Sequence, residues 1–186
     1  MNIEELILGR RTIHNYSDKP VADTVIRRAL ELALWAPNHK LTMPWQFTLV
    51  GPEARTELAK LSLALKETKK GTAFDAEQRL SLQAEFLRPS HLVAVSMKRN
   101  GDARQEREDY AAVAGGLENA ALYLWSLGIG TKWSTSPLIR DKNVYSALRI
   151  NSETEEMVGL LWIGYPDKVP QSLRKVDLGR HLRHSP

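Results

Sequence analysis

One stretch of this sequence limits the fold more than any other. Between Glu106 and Leu127 the apolar residues Tyr110, Val113, Leu117, Ala121, Leu124 and Trp125 recur every three or four positions. That spacing predicts a long amphipathic helix. Its middle is filled with small side chains, Ala111, Ala112, Ala114, Gly115, Gly116, Ala120 and Ala121. A glycine inside a helix costs roughly 1 kcal/mol relative to alanine. Two adjacent ones point to close approach of another backbone or a flat ligand, or to tolerated weakness. Gly128 and Gly130 stop the helix.

Around it, helical and strand periods are intermixed. Helices are expected at Ile3–Leu8, capped by Asn2 and ended by Gly9, and at Ala22–Trp35, stopped by Ala36-Pro37. Further helices are expected at Glu53–Lys69, Asp75–Leu87 and Pro137–Leu148. Strands are expected at Trp45–Val50, Leu92–Met97, Thr131–Ser134 and Met157–Ile163. Leu92–Met97 is continuously apolar and reads as a central strand. The pattern predicts an α+β domain over 1–186, with one central sheet flanked by helices. The polar tail 167–186 has no core of its own. Strand order is not readable from periodicity.

Composition removes several chemistries. The 186 residues contain no cysteine, so no disulfide, thiolate metal site or catalytic thiol can form. The five histidines are scattered, which leaves no metal-ligand spacing, and no Ser-His-Asp order or paired-carboxylate signature occurs. No run of 18 apolar residues and no signal-like N-terminus is present, so a cytoplasmic protein without a membrane span is expected. Lys and Arg outnumber Asp and Glu by 26 to 22. The excess suits an anionic ligand. It is spread along the chain rather than gathered into one face, which disfavours nucleic acid.

Three segments gather polar groups. Arg10-Arg11-Thr12-Ile13-His14-Asn15-Tyr16 places two guanidiniums beside a hydroxyl, a pattern suited to phosphate but equally to a solvated basic loop. Ala36-Pro37-Asn38-His39-Lys40-Leu41-Thr42-Met43-Pro44-Trp45 is a loop stiffened by prolines, suited to a flat polar ligand or to a well-ordered turn. Gly128-Ile129-Gly130-Thr131-Lys132-Trp133-Ser134-Thr135-Ser136 groups hydroxyls beside Lys132 and Trp133, without the dinucleotide or P-loop glycine pattern.

Taken in order, these segments resemble the FMN-dependent nitroreductase family over nearly the whole chain. Arg10-Arg11-Thr12 is similar to its Arg-Arg-Ser flavin-phosphate motif. Ala36-Pro37-Asn38-His39-Lys40 with Pro44-Trp45 is similar to its loop ending in Pro-Trp. Asp109–Asn119 to Gly130 is similar to its central helix and glycine turn, and Val158-Gly159-Leu160 to Gly164-Tyr165-Pro166 to its late strand. Within the family the chain resembles the short, YdjA-like subgroup.

The resemblance implies a nitroreductase-like α+β fold with a central mixed or antiparallel sheet flanked by helices, in an intertwined homodimer, with FMN at the interface and the 167–186 tail on the partner subunit. It implies cofactor contacts from Arg10, Arg11, Thr12, Trp133, Ser134, Thr135 and Arg174, with Trp35 and His39 reaching the flavin of the other subunit. Lys132 is a further candidate for charge stabilisation. Where many members carry Asn and Gln before Pro-Trp, this chain has Leu41 and Met43, leaving backbone groups of that loop to serve the flavin edge. The implied activity is a ping-pong NAD(P)H oxidoreductase reducing nitroaromatic, quinone or related small-molecule acceptors. No side-chain acid or nucleophile is required, because the cofactor carries the hydride chemistry. Alternatives are another substrate (aldehyde, enone or dehalogenation) or a flavin-binding protein without turnover.

Overall fold

The computed structural model describes residues 2–185. Met1 and Pro186, the ends of the expected domain, lie outside the described residues. The elements are, in chain order, α1 (Ile3–Gly9), α2 (Asp23–Ala33), β1 (Trp45–Leu49), α3 (Pro52–Lys70), α4 (Ala76–Leu87), β2 (His91–Lys98), α5 (Ala103–Ser126), β3 (Gly130–Ser134), α6 (Lys142–Leu148) and β4 (Glu155–Gly164). Short 3-10 turns occupy His39–Leu41, Pro137–Arg140 and Leu178–Arg180.

The sheet has the order β1-β2-β4-β3, and every strand pair is antiparallel. Of the two arrangements expected, mixed or antiparallel, the chain adopts the second. Among the described residues its one parallel contact is an isolated bridge between Thr12 and Thr131 at the open side of β3. β2 is central, as its apolar run predicts, and both its faces are covered. Val93 and Val95 point to a core shared with Ile26, Ala29 and Ala33 of α2 and Val113, Leu117, Ala120 and Leu124 of α5. Leu92 and Ala94 point to a second core with Leu58 of α3, Leu82 and Phe86 of α4, and Val144 and Leu148 of α6. The period of two along the strand sorts successive residues into two hydrophobic layers.

The glycine pair in α5 now has a reason. A β-carbon at Gly116 would lie 2.5 Å from the Ala33 carbonyl oxygen and 2.7 Å from Trp45 Nε1. Of the readings open in the sequence, close backbone approach holds at Gly116. At Gly115 a β-carbon meets only Ala36 Cβ, at an ordinary 3.6 Å.

Local chemistry explains where element boundaries differ from expectation. Asn2 caps α1 in a reciprocal capping box with Glu5, but the helix includes Gly9 and ends at Arg10. α5 starts at Ala103, earlier than its apolar stripe, because Asp102 accepts from the amides of Arg104 and Gln105. The single helix expected over Pro137–Leu148 is two elements. Asp141 is extended and accepts from Asn143 N at 2.8 Å, so it caps α6 and breaks continuity with the preceding turn. From Asp167 to Ser185 every residue is exposed. Among the described residues no helix is long and apolar enough to cross a membrane.

Candidate functional site

The segment Arg10–Tyr16 crosses the open edge of β3. Ile13 N donates to Thr131 O at 3.0 Å, and Tyr16 then pairs with Pro166. The Tyr16 hydroxyl donates to Ile13 O at 2.9 Å. Burial raises the phenol's pKa far above its usual value, so it stays a neutral donor. The crossing splits the segment. Arg10 and Thr12 lie on the α5 face of β3, and His14, Asn15 and Tyr16 on the α4 face.

On the α5 face a cleft of about 160 Å³ is lined by Arg10, Thr12, Glu118, Thr131 and Trp133. Arg10 Nε donates to Glu118 Oε1 at 2.9 Å, and its two terminal nitrogens have no partner among the described residues. Trp133 Nε1 donates to Val158 O at 3.3 Å. A β-carbon at Gly159 would collide with the Trp133 indole nitrogen, so the ring lies against bare backbone. Ala114 and Ala121 keep the α5 wall low. The donor set is a half-free guanidinium with hydroxyls. That chemistry suits a phosphate monoester on a polyol chain. The volume falls below the roughly 300–1,000 Å³ of small-molecule pockets.

The larger cavity, about 810 Å³, is on the α4 face, lined by His14, Lys66, Phe74, Glu85, Arg88 and Lys132 among others. Its two lysines are already engaged, whereas Arg88 has no ion pair or side-chain hydrogen bond among the described residues. Lys132 Nζ lies 2.7 Å from Glu85 Oε1 and 4.3 Å from the Trp162 ring centroid, and Lys66 Nζ is 3.4 Å from Glu85 Oε2. Burial alone would raise the Glu85 pKa. The hydrogen bonds and charges of the two lysines outweigh it and hold the carboxyl below its usual range. Lys132 therefore faces away from the Arg10 cleft, contrary to the expectation that both would serve one anion.

The loop before β1 is held from beneath. Asn38 Oδ1 accepts from Met43 N at 2.8 Å, Asn38 Nδ2 donates to Thr42 Oγ1 at 2.9 Å, and Thr42 Oγ1 donates to Asp109 Oδ1 at 2.5 Å. Asp109 is 2% exposed and also accepts from Gln105 Nε2 and Asn100 Nδ2. This network supports three non-glycine residues at positive φ, Lys40, Leu41 and Met43. Such conformations cost about 1–3 kcal/mol each and persist where surroundings over-determine them. The amides of Leu41 and Met43 are bonded inside the loop, to Asn38 O and Asn38 Oδ1. These two amides are therefore not free for a flavin edge, and the expectation that backbone groups of this loop serve it rests on the others. Leu41 is 79% exposed.

The remaining candidates are dispersed. Arg11 Nη1 donates to Leu8 O and Arg10 O at 2.6 and 2.8 Å, closing the end of α1. Trp35 follows α2 and is 81% exposed. His39 Nδ1 is 2.6 Å from Glu108 Oε2, whose carboxyl is held below its usual pKa by that bond first and by Arg104 less. Ser134 ends β3 half-buried, and Thr135 lines a further cavity of about 390 Å³ beyond it. Arg174 lies in the exposed tail. Glu118 and Asp109 fall within the central-helix resemblance but are not singled out by it as site residues. The helical period does put Tyr110, Ala114, Leu117, Glu118 and Ala121 on one stripe, and that spacing is the signal for Glu118.

Comparison with known proteins follows this geometry. The nitroreductase family profile matches residues 7–165. A Bacillus subtilis protein named as an NAD(P)H nitroreductase, YfhC, is 27% identical over 176 residues, covering 95% of this chain and 90% of its own. The crystal structure of a nitroreductase-like family protein from Bacillus cereus superposes with a TM-score of 0.84 at 28% identity, over 100% of this chain and 96% of that one. At 18% identity, the FMN-dependent nitroreductase NfnB from Mycobacterium smegmatis, solved in complex with NADPH, shares the fold with a TM-score of 0.73 over 98% of this chain and 97% of its own.

Proposed function

This chain belongs to the nitroreductase family, and from that premise we propose that it is an FMN-dependent NAD(P)H oxidoreductase of the short, YdjA-like kind, working as a cytoplasmic homodimer. The observation that carries this reading is the seating of Arg10 and Thr12 against Thr131 and Trp133 in one cleft, although these pairs are over a hundred residues apart in sequence. In this reading Arg10 takes the flavin phosphate through its free terminal nitrogens, with Arg11 stiffening the segment and adding charge. Thr12, Ser134 and Thr135 serve the ribityl chain and ring edge. Trp133 supplies an aromatic wall.

The small volume of the cleft fits a half-site that a second subunit completes. Trp35 and His39, carried on the strained Asn38–Met43 side of the molecule, are the groups proposed to reach the partner's flavin. The exposed tail, with Arg174, is proposed to wrap the partner; Leu173 in it is 93% exposed, which is costly for an apolar side chain left in water.

Bound flavin supplies reversible hydride acceptance. The chain's own residues bind and orient. No side chain in the cleft is placed as an acid or nucleophile, and Glu118 holds Arg10 at 2.9 Å rather than facing a substrate proton. Donor and acceptor take turns in the same cleft, so reciprocal plots at several acceptor concentrations should be parallel. The test is steady-state NADH and NADPH oxidation by FMN-reconstituted protein with a nitroaromatic or a quinone as acceptor. Turnover with parallel lines supports the assignment. Stoichiometric flavin binding without turnover leaves a flavin-binding protein instead.

A further inference from the structure

Tyr110, Ala114, Leu117, Glu118 and Ala121 form one stripe of α5, and the stripe lines two cavities. Ala114 to Ala121 border the Arg10 cleft, and Tyr110 borders the cavity of about 390 Å³ that begins at Thr135. Val158, whose carbonyl accepts from the Trp133 indole, lines this second cavity as well. The two hollows share no lining residue; the α5 stripe and the Trp133–Val158 hydrogen bond link them, and the far one continues past the end of β3 to Ile139, Tyr145 and Met157 of the second core.

We propose that this far cavity seats the anionic group, carboxylate or phosphate, of a substrate whose reacting part lies at the Trp133–Thr135 segment. The proposal rests on the flavin reading above for what happens at that segment. Three cations line the cavity, Arg99, Arg140 and Lys142, against one carboxylate, Glu156. Arg99 is spoken for, 3.6 Å from Glu156 and 3.5 Å from Glu155 O. Arg140 and Lys142 have no ion pair or side-chain hydrogen bond among the described residues. The acid between them, Asp141, is occupied in capping α6.

The cavity wall is apolar and aromatic. Ile139 and Met157 are buried, Tyr110 stands half-open, and the Tyr145 hydroxyl accepts from Met157 N at 2.9 Å, which fixes its ring. A flat apolar floor with two unneutralised cations at its rim selects a ring or sugar carrying an acid group. The volume is within the range for small ligands, unlike that of the Arg10 cleft. In the α4-face cavity Glu85 binds both lysines, which leaves Arg88 as the cation there without a partner among the described residues.

The test uses FMN-reconstituted full-length protein and equilibrium binding by calorimetry, with 4-nitrobenzoate, its neutral methyl ester, NADP⁺ and NAD⁺ as probes. Both cations are exposed, so the variant Arg140→Gln/Lys142→Gln should fold. It should bind at least one member of the charged set about tenfold more weakly, as expected for lost charge-assisted hydrogen bonds, while the methyl ester changes less than about twofold. Loss confined to 4-nitrobenzoate makes the anion an acceptor carboxylate. Loss confined to NADP⁺ relative to NAD⁺ makes it the nucleotide phosphate. Unchanged affinity for both anions, in protein that still holds FMN, overturns the proposal. Failure of the wild-type chain to bind FMN at all sinks the flavin reading, and the same calorimetry on the flavin-free chain then reads the anion seat separately.

Discussion

The two faces of β3 handle positive charge in opposite ways. On the α4 face Lys132 is turned inward, sandwiched between Glu85 and the Trp162 ring, and a second lysine shares the same carboxylate. On the α5 face Arg10 gives one nitrogen to Glu118 and keeps its fork open. The larger cavity belongs to the first face and the smaller to the second. Volume alone would choose the first, whereas the proposed function rests on the second. The proposed site is chosen by a guanidinium that the fold anchors at one nitrogen and leaves open at the other two.

Substitutions can separate these roles. Lys132→Met should have the largest effect on stability, about 2 kcal/mol by urea denaturation. Breaking a fully buried pair costs about 3–5 kcal/mol, and Glu85 remains 34% exposed, so part of that cost is relieved by water. FMN affinity should stay at the wild-type value, and a drop would mean that the two faces are coupled. Arg10→Ala should do the reverse. It should weaken FMN binding about tenfold to a hundredfold, from the roughly 1.5–3 kcal/mol of hydrogen bonds to a charged group. Its unfolding midpoint should barely move, because the Arg10–Glu118 pair is partly solvated.

Acid provides a milder probe of the α4 face. The Glu85 carboxyl is depressed in the folded state, so its stabilisation is fully present above the unfolded carboxyl value of about 4.3 and fades as pH falls through the lower folded value. Urea midpoints measured from pH 6 downward should show a loss in the wild type that shrinks in Glu85→Gln. Arg11→Ala should have the smallest effect. It frees carbonyls at the end of α1, for about 0.5–1 kcal/mol, and should weaken FMN binding less than Arg10→Ala does. If the order of the two arginines were reversed in a flavin titration, the division of labour between them would be wrong.

Much of this was legible in the sequence, and the failures share a cause. The apolar stripe of Glu106–Leu127 and the continuous run Leu92–Met97 marked the helix and strand around which both cores form. They were readable because burial repeats with the local period. Gly116 announced a close approach but not its partner, since Ala33 and Trp45 are brought there only by tertiary packing. The break at Asp141 was hidden because Pro137–Leu148 keeps helical spacing across it. The side of the sheet that Lys132 meets was hidden for a parity reason. Alternation in β3 separates it from Thr131 and Trp133, but no local feature says which parity meets the cleft. Arg10 and Arg11 look equivalent as neighbours and become different only once α1 has ended, when one turns to Glu118 and the other back to Leu8 O and Arg10 O.

The most direct measurement of the central claim is an FMN titration, followed by quenching of flavin fluorescence, of the wild type, Arg10→Ala and Lys132→Met side by side. The α5-face site predicts stoichiometric binding by the wild type, affinity kept in Lys132→Met and affinity lost by about tenfold or more in Arg10→Ala. Full affinity in Arg10→Ala, with loss in a folded Lys132→Met, would place the flavin on the other face of the strand and contradict the account.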